Sequence, residues 1–222
     1  MSKTEKLNKL FDEWQDNFDF DIFCRDGIID EENYGDGIPE VVFLLKDANL
    51  DSKEEADIRE NLLKAAEGRA PLGQMWKVLC MWIKLMSKPD TRFAECLIDG
   101  EIDDSIAEYL SKVAVVNLSK EHGTGRNDQG VLYEKLTASV RDYYEYTQKE
   151  IDIIAPELVV CCGTYHYIKE AHNVCDKSLP SGARYFVHCG RIYLEMCHPG
   201  RLLMGYKELF AYFREVYSDF DL

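Results

Sequence analysis

Three apolar runs in this chain end in polar residues of the kinds that bind ligands or carry out chemistry. VVFLL, residues 41–45, delivers Lys46-Asp47-Ala48-Asn49; VAVVNL, residues 113–118, carries Asn117; and the run that closes at Met196 and Cys197 delivers His198-Pro199-Gly200-Arg201. Each group alone has an ordinary structural role. An Asp or Asn after a strand caps the next helix or forms an Asx turn, and a His before Pro is commonly a hydrogen-bonded turn residue. Their shared position carries more weight, because strand ends of one parallel sheet place such groups on one rim, where a pocket is expected. A thiol–imidazole pair, Cys197 or Cys162 beside His198 or His166, is a competing arrangement, but those cysteines sit in apolar strands and nothing in the sequence lowers a thiol pKa.

Other chemistries lack their spacing. GTGRND has no Lys-Ser/Thr after its glycines and does not open a helix directly after a strand, so it is neither a P-loop nor a dinucleotide fingerprint, and no GxSxG elbow occurs. The eight cysteines include no CxxC pair, and there is no HxxxH or HExxH. The neighbours Cys161 and Cys162 point to opposite faces of a strand and cannot easily share an ion. The expectation is eight reduced, mostly buried thiols, no metal and no cofactor.

The elements that position these groups follow from periodicity. Leu7, Leu10, Phe11, Trp14 and Phe18 mark an amphipathic helix over residues 3–20. The continuous apolar runs at 41–45, 113–118 and 157–162 read as buried parallel strands. Between them fall helices: one from an Asp51 or Ser52 cap to Gly68, one over 73–87, and one from about Val131 to Gln148. A hairpin-like pair, 184–188 and 191–196, precedes the last motif, and an amphipathic helix closes the sequence. The predicted fold is α/β: a three-layer α/β/α sandwich on a mostly parallel sheet of about four strands, in one domain over residues 1–222.

Composition narrows the partners. With 41 acidic and 26 basic residues the net charge is −15, so a broad basic groove for nucleic acid is not expected. A local patch would need Arg126, Arg184, Arg191, Arg201 and Lys207 to converge, the alternative being scattered solvated charges. No run is apolar and long enough for a membrane span, and the first residues do not read as a secretory signal. The expectation is a cytoplasmic protein with no membrane partner.

The order VVFLLKDAN, VAVVNL, ELVVCCGTY and EMCHPGR resembles the uracil-DNA glycosylase superfamily over roughly residues 40–216. The resemblance implies a four-stranded parallel sheet between helices and hydrolysis of the N-glycosidic bond of uracil or another damaged base, held unstacked in a pocket. It assigns Asp47, or in its place Asn49, to the attacking water and the sugar cation. Asn117 is assigned to the base edge, which its amide donor and acceptor suit, and His198 to the negative charge on the departing base. Ala48 and a stacking aromatic, Trp76 or Tyr34, would line the base. Gly163, Thr164, Gly200, Arg201 and Arg126 would lie along phosphate.

Some branches of that superfamily hold an iron–sulfur cluster; Cys80 and Cys96 occupy two corresponding places, but the upstream CxxC is missing, and no cluster is predicted. The chain also departs from the family where the first motif lacks its usual Gly and Pro and where Gly200 replaces a Ser. The implied partner is DNA containing a modified base, with a monomer as the family default. The acidic composition keeps two alternatives in view: a free nucleoside or nucleotide as substrate, and a catalytically silent protein binding a nucleobase, nucleic acid or protein.

Overall fold

Ser2 starts the first helix with a capping box, its side chain accepting from the Glu5 amide while Glu5 accepts from the Ser2 amide at 2.8 Å. The computed structural model describes residues 1–48, 56–122, 129–200 and 204–220. In chain order the first half contains α1 (Lys3–Asn17), β1 (Cys24–Arg25), β2 (Gly27–Ile28), β3 (Val41–Ala48), β4 (Ala56–Asp57), α2 (Ile58–Ala66) and α3 (Gln74–Ser87). Next come β5 (Leu97–Ile98), β6 (Glu101–Ile102), β7 (Ala114–His122), α4 (Gln129–Ile154) and β8 (Leu158–Cys162). The remainder is α5 (Tyr165–His172), β9 (Lys177–Ser178), β10 (Arg184–His188), β11 (Arg191–Met196) and α6 (Tyr206–Ser218).

The principal sheet has seven strands in the order β2-β7-β3-β8-β11-β10-β9. Its four central strands run parallel, Leu45 pairing with Asn117 across β3 and β7, Phe43 with Val160 across β3 and β8, and Leu194 with Val160 across β11 and β8. β2 and β10 pair antiparallel with their neighbours, and β9 pairs antiparallel with β10. The sheet is therefore mixed and wider than the four strands expected. The two-residue strands β2 and β9 carry too little periodic pattern to be counted from sequence, and β10, expected as half of a hairpin with β11, widens the same sheet.

Helices cover both faces, which is why the central runs are apolar without interruption. Val41, Phe43 and Leu45 enter a core with Trp82 of α3, Phe213 of α6, and Leu110 from a 3₁₀ segment at Asp104–Lys112. Val42 and Leu44 enter the other core, with Leu7, Phe11 and Trp14 of α1, Ile151 of α4 and Ile168 of α5. Cys161 and Cys162 divide between the two cores in the same way.

Two expected boundaries move. α2 begins after Asp57, whose carboxylate accepts from the Arg59 amide at 3.0 Å, rather than after Asp51 or Ser52, which lie outside the described residues. α4 extends to Ile154 and changes direction at Tyr143, which has non-helical backbone angles. No helix among the described residues is long and apolar enough to cross a membrane.

Candidate functional site

The carboxyl ends of β3, β8 and β11 are laced together by the turn that follows β8. Gly163, at φ +73°, donates its amide to Cys161 O at 2.9 Å and to Met196 O at 2.8 Å, which ties the turn to β11. The buried hydroxyl of Thr164 donates to Leu44 O at 2.9 Å and ties it to β3. Both residues, expected from the sequence along phosphate, thus build the rim itself. The left-handed backbone of Gly163 suits a glycine, and the missing side chain has a second use. A Cβ there would lie 3.0 Å from Lys46 Cε, 3.7 Å from Lys46 Nζ and 3.5 Å from His198 Cβ, so Lys46 and His198 meet over this glycine.

His198 is held in one orientation. Its Nδ1 accepts the Gly200 amide at 3.1 Å, which leaves Nε2 as the protonated, donating nitrogen of the neutral ring. Burial, reinforced by the Lys46 ammonium, lowers its pKa to about 4. Gly200 is required close by: a Cβ would come within 3.3 Å of His198 Nδ1 and 3.7 Å of Met75 Cγ at the start of α3. Gly200 therefore supports the imidazole, a contribution that its reading as a lost Ser does not include.

Asp47 stands next to Lys46 where the register between β3 and β7 shifts. Asp47 pairs with Ser119 but Ala48 pairs with His122, a bulge of the kind that re-aims side chains at the end of a strand. Its carboxylate is largely covered, at 17% exposure, and lies 3.9 Å from Lys135 Nζ of α4. Lys135 also donates to Glu121 O at 3.1 Å. Burial lowers the pKa of Lys135, with Asp47 and Glu121 opposing the shift.

An open depression of about 460 Å³ adjoins this rim, lined by Gly163, Glu195, Met196, Cys197, Met204 and Tyr212. A further depression of about 360 Å³ lies on α6, around Phe93, Lys207, Phe210 and Arg214, and includes none of the strand-end residues.

Several expected site residues fall elsewhere. Asn117 is 1% exposed, and its backbone and side-chain amides both donate to Asp26 Oδ2, at 2.7 and 3.0 Å. The expected base-reading donor is thus spent inside the protein, on a buried cluster that also contains Lys120 and Glu150. Ala48 is buried in the core under α3, and Trp76 packs half-buried against the same core, as an ordinary amphipathic-helix residue does. Tyr34 lies under Lys3, whose ammonium is 5.0 Å from the ring centroid and reaches Glu40 just before β3, so Tyr34 is at the opposite end of the sheet. Asn49, Arg126 and Arg201 lie outside the described residues.

Among the described residues of the expected basic set, Arg184, Arg191 and Lys207 do not converge. Arg184 forms a two-bond pair with Glu195 at 2.7 Å each, near the rim, whereas Arg191 pairs with Asp152 at the far end of β11. Among the described residues no three His, Cys, Asp or Glu side chains gather as a metal site. All eight cysteines are free thiols; burial raises the pKa of Cys162 well above its usual range, which opposes its use as a nucleophile.

Sequence reasoning passed over two cations, Lys46 and Lys135. For Lys46 a signal existed: it is the first ionisable residue after five apolar ones in a central strand. Lys135 had none, since it reaches the rim from a helix face. No family model and no curated protein matches this chain.

Proposed function

We propose that the chain hydrolyses the N-glycosidic bond of a nucleobase, uracil or another deaminated or damaged base, with DNA as substrate. The observation that carries this reading is the delivery of a carboxylate, Asp47, and an oriented neutral imidazole, His198, to carboxyl ends of strands in the same parallel set. β3 and β11 are separated by β8 alone, so two strand spacings, roughly 10 Å, divide their axes. N-glycosidic hydrolysis requires opposite electrostatic character on either side of the breaking bond. The C1′–N bond breaks with its electron pair on the base, and positive charge builds on the sugar, where a carboxylate is favourable. Water then adds its oxygen to C1′ and passes a proton to Asp47, while His198 Nε2–H donates to the departing base. The base takes up its own proton from solvent.

A free nucleoside or nucleotide is the second reading of the same site. It is favoured by the net charge of −15 and by the pairing of Arg184 and Arg191 with carboxylates, which removes them from any phosphate track. The test is base release at low salt from single- and double-stranded oligonucleotides, and from nucleosides and nucleotides, carrying uracil, hypoxanthine or xanthine. Release from oligonucleotides that is lost in Asp47→Asn and His198→Ala supports the DNA reading. Release from small substrates alone supports the second reading, and release from neither refutes both, leaving a silent binding protein.

A further inference from the structure

We infer that Lys46 is an anion receptor for the ligand's nucleobase: its ammonium, held over Gly163 and beside His198, takes up negative charge on the ring, including the charge that develops as the base departs. The identity of the ligand as a nucleobase rests on the N-glycosidic reading; that Lys46 receives an anion rests on its own surroundings.

Lys46 is half-buried and has no carboxylate or hydrogen-bond acceptor among the described residues. That is unusual in a chain with 41 acidic and 26 basic residues, where a partner for a cation is easily found. Its neighbours conform: Lys135 lies near Asp47 and Glu121, and Arg184 is bound by Glu195. The half-buried ammonium gives up part of its water, and among the described residues no carboxylate offsets that loss, so an anionic ligand would be favoured there. Gly163 lets the lysine stem lie against the backbone beside His198, since a Cβ there would come within 3.0 Å of Lys46 Cε.

The imidazole beside it complements the ammonium. With Nδ1 occupied by the Gly200 amide, His198 keeps Nε2–H as its one donor. Because the ring stays neutral, it supplies direction to a hydrogen bond but no net charge, and the charge comes from Lys46. A planar heterocycle with an anionic edge fits one charged and one neutral donor that meet at a single glycine.

The test is calorimetric titration of the full chain at pH 7 with barbiturate, a pyrimidine already anionic at that pH, and with neutral uracil, using wild type, Lys46→Met and Lys46→Arg. A charge-assisted hydrogen bond predicts barbiturate binding at least about tenfold tighter than uracil in wild type. That preference should vanish in Lys46→Met and largely return in Lys46→Arg. Equal binding of the two pyrimidines by wild type, or a preference that survives in Lys46→Met, overturns the inference. Inorganic phosphate that competes at lower concentration than barbiturate, in a Lys46-dependent way, also overturns it by assigning the cation to phosphate. Lys46-dependent barbiturate binding without base release from any substrate refutes the hydrolase reading alone. Base release with a barbiturate preference that survives in Lys46→Met refutes this inference alone.

Discussion

Replacing Lys120 with Met tests whether the charges beneath β7 are held as a unit. Lys120, Asp26 and Glu150 are all fully buried; the ammonium contacts Asp26 directly and lies 2.7 Å from Glu150 Oε2. Burial, then the Asp26 charge, pushes Glu150 well above the usual carboxylate range and toward its protonated form. Burial by itself would lower Lys120, but Asp26 and Glu150 outweigh it and the net shift is upward. The principal ion pair is thus Lys120 with Asp26. Lys120→Met keeps most of the stem volume but leaves the Asp26 carboxylate without a counter-charge, held by the two Asn117 amides and the protonated Glu150 alone. Removing one member of a buried pair costs about 3–5 kcal/mol. At about 2–4 °C per kcal/mol for a chain of this size, the melting temperature should fall by roughly 6–20 °C.

Glu150→Gln should instead cost under about 1 kcal/mol, because glutamine closely mimics the protonated acid. The pH dependence has a definite sign. A carboxyl whose folded pKa is raised binds more protons in the native than in the unfolded state, so its contribution is fully present below the unfolded value and declines as pH rises from there. Wild type should therefore lose ground to Glu150→Gln as pH increases above about 4.5. Urea unfolding followed by tryptophan fluorescence measures this, since Trp14 packs over Lys120. Lys120→Met within about 1 kcal/mol of wild type, or Glu150→Gln as damaging as Lys120→Met, refutes the reasoning.

Gly163→Ala should destabilise the protein by about 1–2 kcal/mol for placing an L-residue at positive φ, and should displace Lys46; denaturant unfolding reads the first effect and reduced base release or barbiturate binding the second. In nitrogen-detected NMR, His198 should remain the neutral tautomer protonated at Nε2 from pH 8 down to 5.5, and a midpoint near 6.5 would refute the assigned environment. Because its folded pKa is depressed to about 4, the stability linked to His198 is present above 6.5 and is lost as pH falls toward 4.

The sequence foretold the central architecture because its signal was strong. Continuous apolar runs such as 41–45 are buried on both faces and occur in parallel strands covered by helices, and Leu7, Phe11 and Trp14 marked the buried face of α1. Strands of two residues, such as β2 and β9, leave no periodicity, so the width of the sheet was not legible. Of the candidate site, Asp47, Gly163 and His198 could be singled out from sequence because each comes at or just after the close of an apolar run. Asn117 shows the limit of that rule: the apolar run stops there but β7 continues to His122, so Asn117 is mid-strand, and Asp26, 91 positions earlier in sequence, claims its amide. Lys46 and Gly200 owe their significance to contacts across the rim, which spacing along one strand cannot express.

The first helix acts as insulation. Phe11 and Trp14 of α1 lie over the Lys120 ammonium, each ring centroid 5.5 Å away, and Lys3 anchors the helix start to Ile154 O at 2.8 Å. These aromatic rings exclude water from the charges and so maintain the low-dielectric setting in which Lys120 and Asp26 attract strongly. Undocking of α1 without global unfolding would let solvent screen that attraction, and amides of β7 would then exchange hydrogen at the rate set by one helix lifting away.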